Sequence, residues 1–173
     1  MVIAAGCGGP KPVPPPPKET EPPKPISVVS ERGDATWYGN EAARPPIWHV
    51  EWQKANLSSV GDTPTVGKMS TVKGEIFQKK ETKTFSADQA VAQASNVLTL
   101  TGNVLVFSPN LKATLKCDKL VYDANKKLFD AQGNVSLKGK NINIEGVPEA
   151  VATSDFDQVA SDEGMLKEKN AKQ

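Results

Sequence analysis

The sequence predicts an all-β chain: a curled antiparallel sheet, an open β-jellyroll or U-shaped roll, built from two-strand repeats. Three observations carry this expectation. Short segments alternate apolar and polar residues with period two, as in strands with one buried face. One such segment returns 31 residues later: Leu98-x-Leu100-x-Gly102-x-Val104-x-Val106 reappears as Phe129-x-Ala131-x-Gly133-x-Val135-x-Leu137, with Gly-Asn-Val intact in both copies. Its partner segment, Phe85 to Val91, returns as Leu115 to Val121 at a spacing of 30, so the unit is a pair of strands.

Taken in order, the chain opens on Met1-Val2-Ile3-Ala4-Ala5-Gly6-Cys7, small and apolar up to a cysteine. Residues 1–7 resemble a truncated signal with a bacterial lipobox, which makes Cys7 the candidate lipid anchor. Nine of the 14 prolines fall in the first 25 residues, interleaved with Lys and Glu. Residues 8–35 therefore read as an extended, solvated tether; a Pro-x-x-Pro ligand is the sharper alternative. No run of 18 apolar residues is present to span a bilayer as a helix.

The texture changes near residue 36, and the roll is expected over residues 36–150. Trp48, Val50 and Trp52 share one parity, with His49 on the polar one, so the single histidine belongs on the surface. Val72-x-Gly74-x-Ile76 is a weaker early copy of the repeat. Turn residues stand between strands at Ser108-Pro109-Asn110, Asp123-Ala124-Asn125 and Lys138-Gly139-Lys140-Asn141. Glycine sits at mid-strand in all three copies, where a strand must bend or a neighbouring backbone come close, and this suggests a sheet that curls over. Residues 151–173 form an acidic, partly disordered tail.

Function is bounded mainly by exclusion. Twenty-one basic against 20 acidic side chains give a net charge of +1, which argues against a nucleic-acid partner. Two cysteines and one histidine cannot build a conventional four-ligand zinc site. No catalytic glycine-serine, phosphate-loop or redox-cysteine motif occurs, so neither an enzyme nor a cofactor is expected. Asp88 and Asp118 recur one unit apart, and the repeat itself explains them, each at a strand edge or turn. Cys117 takes the place of Ala87 one unit earlier and reads as a small buried thiol.

What remains is the apolar face, expected to be a trough lined by Val72, Ile76, Phe85, Leu98, Leu100, Val104, Val106, Leu115, Phe129, Val135 and Leu137. Such a trough suits acyl chains, since each buried methylene is worth about 0.8 kcal/mol. Residues 71–146 carry eleven lysines against seven acids, a mildly basic surround suited to an anionic glycolipid. The competing expectation is a structural or adhesive β-repeat protein with a solid core that assembles through its sheet edges.

The ordered series Pro46-Ile47-Trp48-His49-Val50, Val72-Lys73-Gly74, Phe85-Ser86-Ala87-Asp88, Leu98 to Val104, Cys117-Asp118-Lys119-Leu120-Val121-Tyr122-Asp123 and Gly133-Asn134-Val135 resembles the LptC/LptA (OstA-like) family of the lipopolysaccharide transport bridge. The likeness covers about residues 45–150 and is nearer LptC, because a Pro-x-Trp segment and a leader precede the repeats. The resemblance implies a twisted, open β-jellyroll. Its interior would receive lipid from an inner-membrane ABC exporter and pass it to an LptA-like bridge protein by strand addition at a sheet edge. It also implies the periplasmic face of the inner membrane, with anchoring by lipidated Cys7 or by a segment preceding it, where LptC proteins usually carry a transmembrane helix.

Overall fold

Alternating side chains do form the strands, and the strands are long. The computed structural model describes residues 26–38, 45–60, 63–79, 81–93, 95–140 and 142–162. In chain order the strands are β1 Ile26–Trp37, β2 Trp48–Val60, β3 Thr63–Phe77, β4 Thr82–Gln93, β5 Val97–Ser108, β6 Ala113–Asp123, β7 Leu128–Gly139, β8 Ile142–Thr153 and β9 Val159–Ala160. They make one antiparallel sheet in which spatial order equals chain order, β1 to β9. The sheet is open, because no pairing joins its first strand to its last. Cys7 and most of the proline-rich leader lie outside the described residues.

The sheet extends past both expected limits. Strand β1 covers residues 26–35, read from the sequence as tether, and pairs with β2 from Ile26↔Ser59 to Trp37↔Trp48. Its run Glu31-Arg32-Gly33-Asp34 broke the alternation and disguised it as linker. At the other end, β8 runs to Thr153 and β9 adds two residues against Val151 and Ala152, inside the stretch expected to be tail.

A sheet with one apolar face and, among the described residues, no helix to cover it must fold onto itself, and the chain bends its strands to do so. In the odd strands the bend falls on residues with positive φ: Arg32, Thr71, Gly102-Asn103 and Gly133-Asn134. In β4 and β6 the buried parity switches instead, from Ala87 to Ala90 and from Cys117 to Leu120. The pairing registers shift at the same places, between Ser86 and Gln89, Thr101 and Val104, and Lys116 and Lys119. These bulges line up across neighbouring strands as a single fold line.

Gly74 lacks a positive φ and serves the other expected purpose: a Cβ there would lie 2.1 Å from the His49 carbonyl oxygen. Asp88 and Asp118, expected at strand edges or turns, stand at mid-strand on the fold line. There each accepts a hydrogen bond from the asparagine of the neighbouring strand, Asn103 at 2.8 Å and Asn134 at 2.9 Å.

Folding along this line sets the halves of the strands face to face. The Trp48 ring on β2 meets Tyr122 on β6 at 6.2 Å between centroids, although four strand positions separate them in the sheet. Trp37 Nε1 of β1 donates to Asn96 Oδ1 in the β4–β5 turn at 2.9 Å. The core between the halves is one continuous cluster from Trp48 to Phe156.

Candidate functional site: the apolar interior and its aromatic seam

All eleven residues expected to line a trough face the interior and belong to the same cluster. Period-two alternation delivers them, with the parity switches in β4 and β6 keeping both halves of each strand apolar inward. The expected exterior residues Thr99 and Asn134 fall on the opposite face, half-buried and exposed respectively.

The interior is closed rather than open. Each of the eleven is between 0 and 4 % exposed, and Val72 also borders a surface concavity. Two concavities lie on the described surface. The larger, about 740 Å³, is lined mostly by polar residues of β1 to β3, among them Arg32, His49, Glu51 and Lys73. A smaller one of about 310 Å³ sits over β6 to β8 beside Asp130 and Glu149. In the larger concavity His49 Nδ1 lies 3.0 Å from Thr36 Oγ1, in keeping with a surface role.

The two halves meet along a seam of rings. Trp37 stacks on Trp48 at 6.0 Å, Trp48 meets Tyr122 edge-on, Tyr122 contacts Phe129 at 5.0 Å, and Phe129 contacts Phe156 at 5.4 Å. Offset and tilted arrangements of this kind add about 0.5–1.5 kcal/mol per pair beyond the buried area. Burial, reinforced by the Asp123 carboxylate, pushes the Tyr122 hydroxyl up to about 12, while the Gln78 amide bonded to it pulls the other way. Of the five rings only Phe129 is among the expected trough residues, and Trp48 was expected on an apolar parity. Trp37–Trp48 and Tyr122–Phe129 are paired neighbours in the sheet, whereas Trp48–Tyr122 joins strands far apart in it, a contact that no local pattern encodes.

At one end of the seam a charge is sealed inside. Lys83 shares the inward parity of Phe85 and Ala87 and is fully buried. Its Nζ is ion-paired to Glu81, which also accepts from Ser108 Oγ at 2.8 Å. The same Nζ lies 5.0 Å from the centre of the Phe156 ring. Desolvation lowers the Lys83 ammonium to about 8, opposed by the fields of Asp155 and then Asp157. A lysine on an inward parity was the available sequence signal, and counting it with the basic surround hid it.

Cys117 is a buried free thiol, as expected, pushed up to about 12 by burial and by the adjacent Asp118 carboxylate. No group of three or more metal-ligating side chains occurs among the described residues.

Comparison with known proteins agrees with this geometry. Residues 69–148 match a family described as lipopolysaccharide-assembly, LptC-related. The match runs from the second half of β3 into β8 and contains all eleven interior residues and both Asp–Asn pairs of the fold line. A search of curated proteins returns no match.

Proposed function

Residues 69–148 match the LptC-related family of lipopolysaccharide-assembly proteins, and from that match we propose that the chain is a member whose roll carries lipopolysaccharide acyl chains between its two halves. The carrying observation is the single unbroken apolar interior, which spans β3 to β7 within the matched segment. The folded sheet holds its halves together by side-chain packing and a ring seam, without backbone pairing between first and last strands. Acyl chains enter such a space by parting the halves, exchanging side-chain contacts for methylene contacts. A fourteen-carbon chain gains on the order of 10 kcal/mol from that transfer at most.

On this reading the protein works at the periplasmic face of the inner membrane. It receives lipid from the ABC exporter there and hands it to an LptA-like partner by edge-strand addition. The exposed pair Val28 and Val29 on edge strand β1 supports such an edge contact. Cys7 is the proposed lipid anchor, and residues between it and β1 the proposed spacer.

The closed interior favours a second reading, a structural β-repeat protein with a solid core. Photo-crosslinking separates the two. With benzophenone side chains placed singly, Leu100 and Val135 capture lipopolysaccharide while Thr99 and Asn134 do not. Equal capture at all four positions, or none at any, refutes an interior carrier.

A further inference from the structure

The Asp155-Phe156-Asp157 turn after β8 has the chemistry of a ligand. Its ring is 5 % exposed, set against Phe129 at the end of the interior, with the buried Lys83 ammonium over its face. Carboxylates flank that ring on both sides in sequence. An apolar group between two negative charges, seated on an apolar wall beside a sealed cation, imitates an anionic amphiphile. We infer that this turn is a resident plug in an anionic-amphiphile site, and that an incoming amphiphile takes its place with the anionic head at Lys83 and the chain in the interior.

The way the turn is held suits displacement. Only two hydrogen bonds tie Ser154 to the roll in the described structure: its N–H to the Lys127 carbonyl and its carbonyl to Gln78 Nε2, each at 2.8 Å. The Phe156 N–H bonds locally, to the Thr153 carbonyl at 2.8 Å. Phe156 has φ +61°, a left-handed conformation that a bulky side chain adopts only under constraint. Behind it, β9 adds only two residue pairs to the edge of β8. Hydrogen bonds between Thr153 and Gln158 close the turn on itself, whereas elsewhere the interior is covered by strands paired to one another along most of their length.

The electrostatics point the same way. A buried ammonium is costly unless its field is met. Lys83 meets Glu81 from its own end of the roll and Asp155 and Asp157 from the turn, and the fields of both aspartates favour its charged form. When the turn swings out those two charges leave with it, and a phosphate on an incoming lipid replaces them. The inference rests on the interior taking acyl chains, and the test separates the two.

The probe is dodecyl phosphate, with dodecyl maltoside as its uncharged counterpart, both below their micelle concentrations and titrated calorimetrically into the full chain. Asp155→Asn with Asp157→Asn weakens the plug without altering its shape. It tightens both probes about fivefold, roughly twofold or more for each partly exposed charge, because each chain must displace the same turn. Bound dodecyl phosphate also speeds hydrogen exchange at the Ser154 and Phe156 amides. Lys83→Met removes the preference for phosphate over maltoside. Absence of dodecyl phosphate binding overturns the plug, as does binding that ignores the two aspartates and leaves both amides protected. Lipopolysaccharide capture at Leu100 alongside that indifference leaves the carrier reading standing alone. Displacement of the turn by dodecyl phosphate with no capture at Leu100 leaves the site standing and removes the carrier.

Discussion

Asn103 on β5 donates from Nδ2 to the Asp88 carboxylate on β4 at 2.8 Å, directly across the line where both strands bend. Asn134 and Asp118 repeat the pair one unit later at 2.9 Å. Each asparagine follows a glycine with positive φ, and a Cβ on that glycine would strike the aspartate: 2.5 Å for Gly102 and Asp88, 2.4 Å for Gly133 and Asp118. Aspartate, glycine and asparagine thus form one corner device. The Gly-Asn dipeptide supplies the left-handed bend, the missing Cβ makes room for the carboxylate, and the carboxylate fastens the asparagine. This is the reason that Gly-Asn and Asp recur together in the sequence.

The corner predicts an ordered pair of costs. Gly102→Ala faces the left-handed conformation, about 1–2 kcal/mol, and must also push Asp88 aside. Gly146 has φ +64° with nothing within 4 Å of a Cβ, so Gly146→Ala faces the conformation alone. Urea denaturation should find Gly102→Ala the worse by about 1 kcal/mol, the scale of one hydrogen bond. Equal losses would mean that the Asp88 contact contributes nothing.

Lys83 predicts a rise of stability in alkali. Its folded pKa, about 8, lies below the ordinary 10.5, so between those values the unfolded chain holds the extra proton. Stability therefore rises with pH across that window, by up to a few kcal/mol. Lys83→Met lacks the rise and is destabilised at pH 7 by about 3–5 kcal/mol, because Glu81 stays buried without its partner. The check is urea midpoints of both proteins at half-unit steps from pH 7 to 10.5. Parallel profiles would contradict a buried ammonium.

Cys117 predicts a silent thiol. Burial and a pKa near 12 leave almost no accessible thiolate at pH 8. In a Cys7→Ser chain, iodoacetamide at that pH should leave the folded protein unmodified by mass, yet alkylate it fully in denaturant. Rapid labelling of the folded form would show that the two halves part spontaneously at β6.

Much of this architecture was readable beforehand because it is local or periodic. Leu98, Leu100, Val104 and Val106 share a parity that points inward, and the same rule placed their copies on β7. Turn residues marked the β5–β6 and β6–β7 junctions. The seam was not readable: Trp48 and Tyr122 meet only because the folded halves are offset by four strands, a global quantity that no pair of neighbouring residues encodes. β1 was missed because Glu31-Arg32-Gly33-Asp34 interrupts its alternation exactly where the strand bends. Lys83 was overlooked because a lysine on an apolar parity is tolerable only with Glu81, Ser108 and Phe156 around it, and the last two come from the neighbouring strand β5 and the turn after β8, 25 and 73 residues along the chain.

The central claim is that a roll closed in the absence of lipid opens between its halves to hold acyl chains. Spin labels at Glu51 on β2 and Thr99 on β5, in a chain lacking Cys7, stand on the outer faces of the two halves. Pulsed dipolar distances between them, with and without lipopolysaccharide, measure that opening. Inserting one layer of methylenes demands a separation of about 4 Å, the contact distance between carbon atoms. The account predicts a widening of at least that size on adding lipopolysaccharide, reversed when the lipid is removed. A distance that stays the same while lipopolysaccharide binds would contradict it and leave a solid-cored roll that holds lipid, if at all, on its surface.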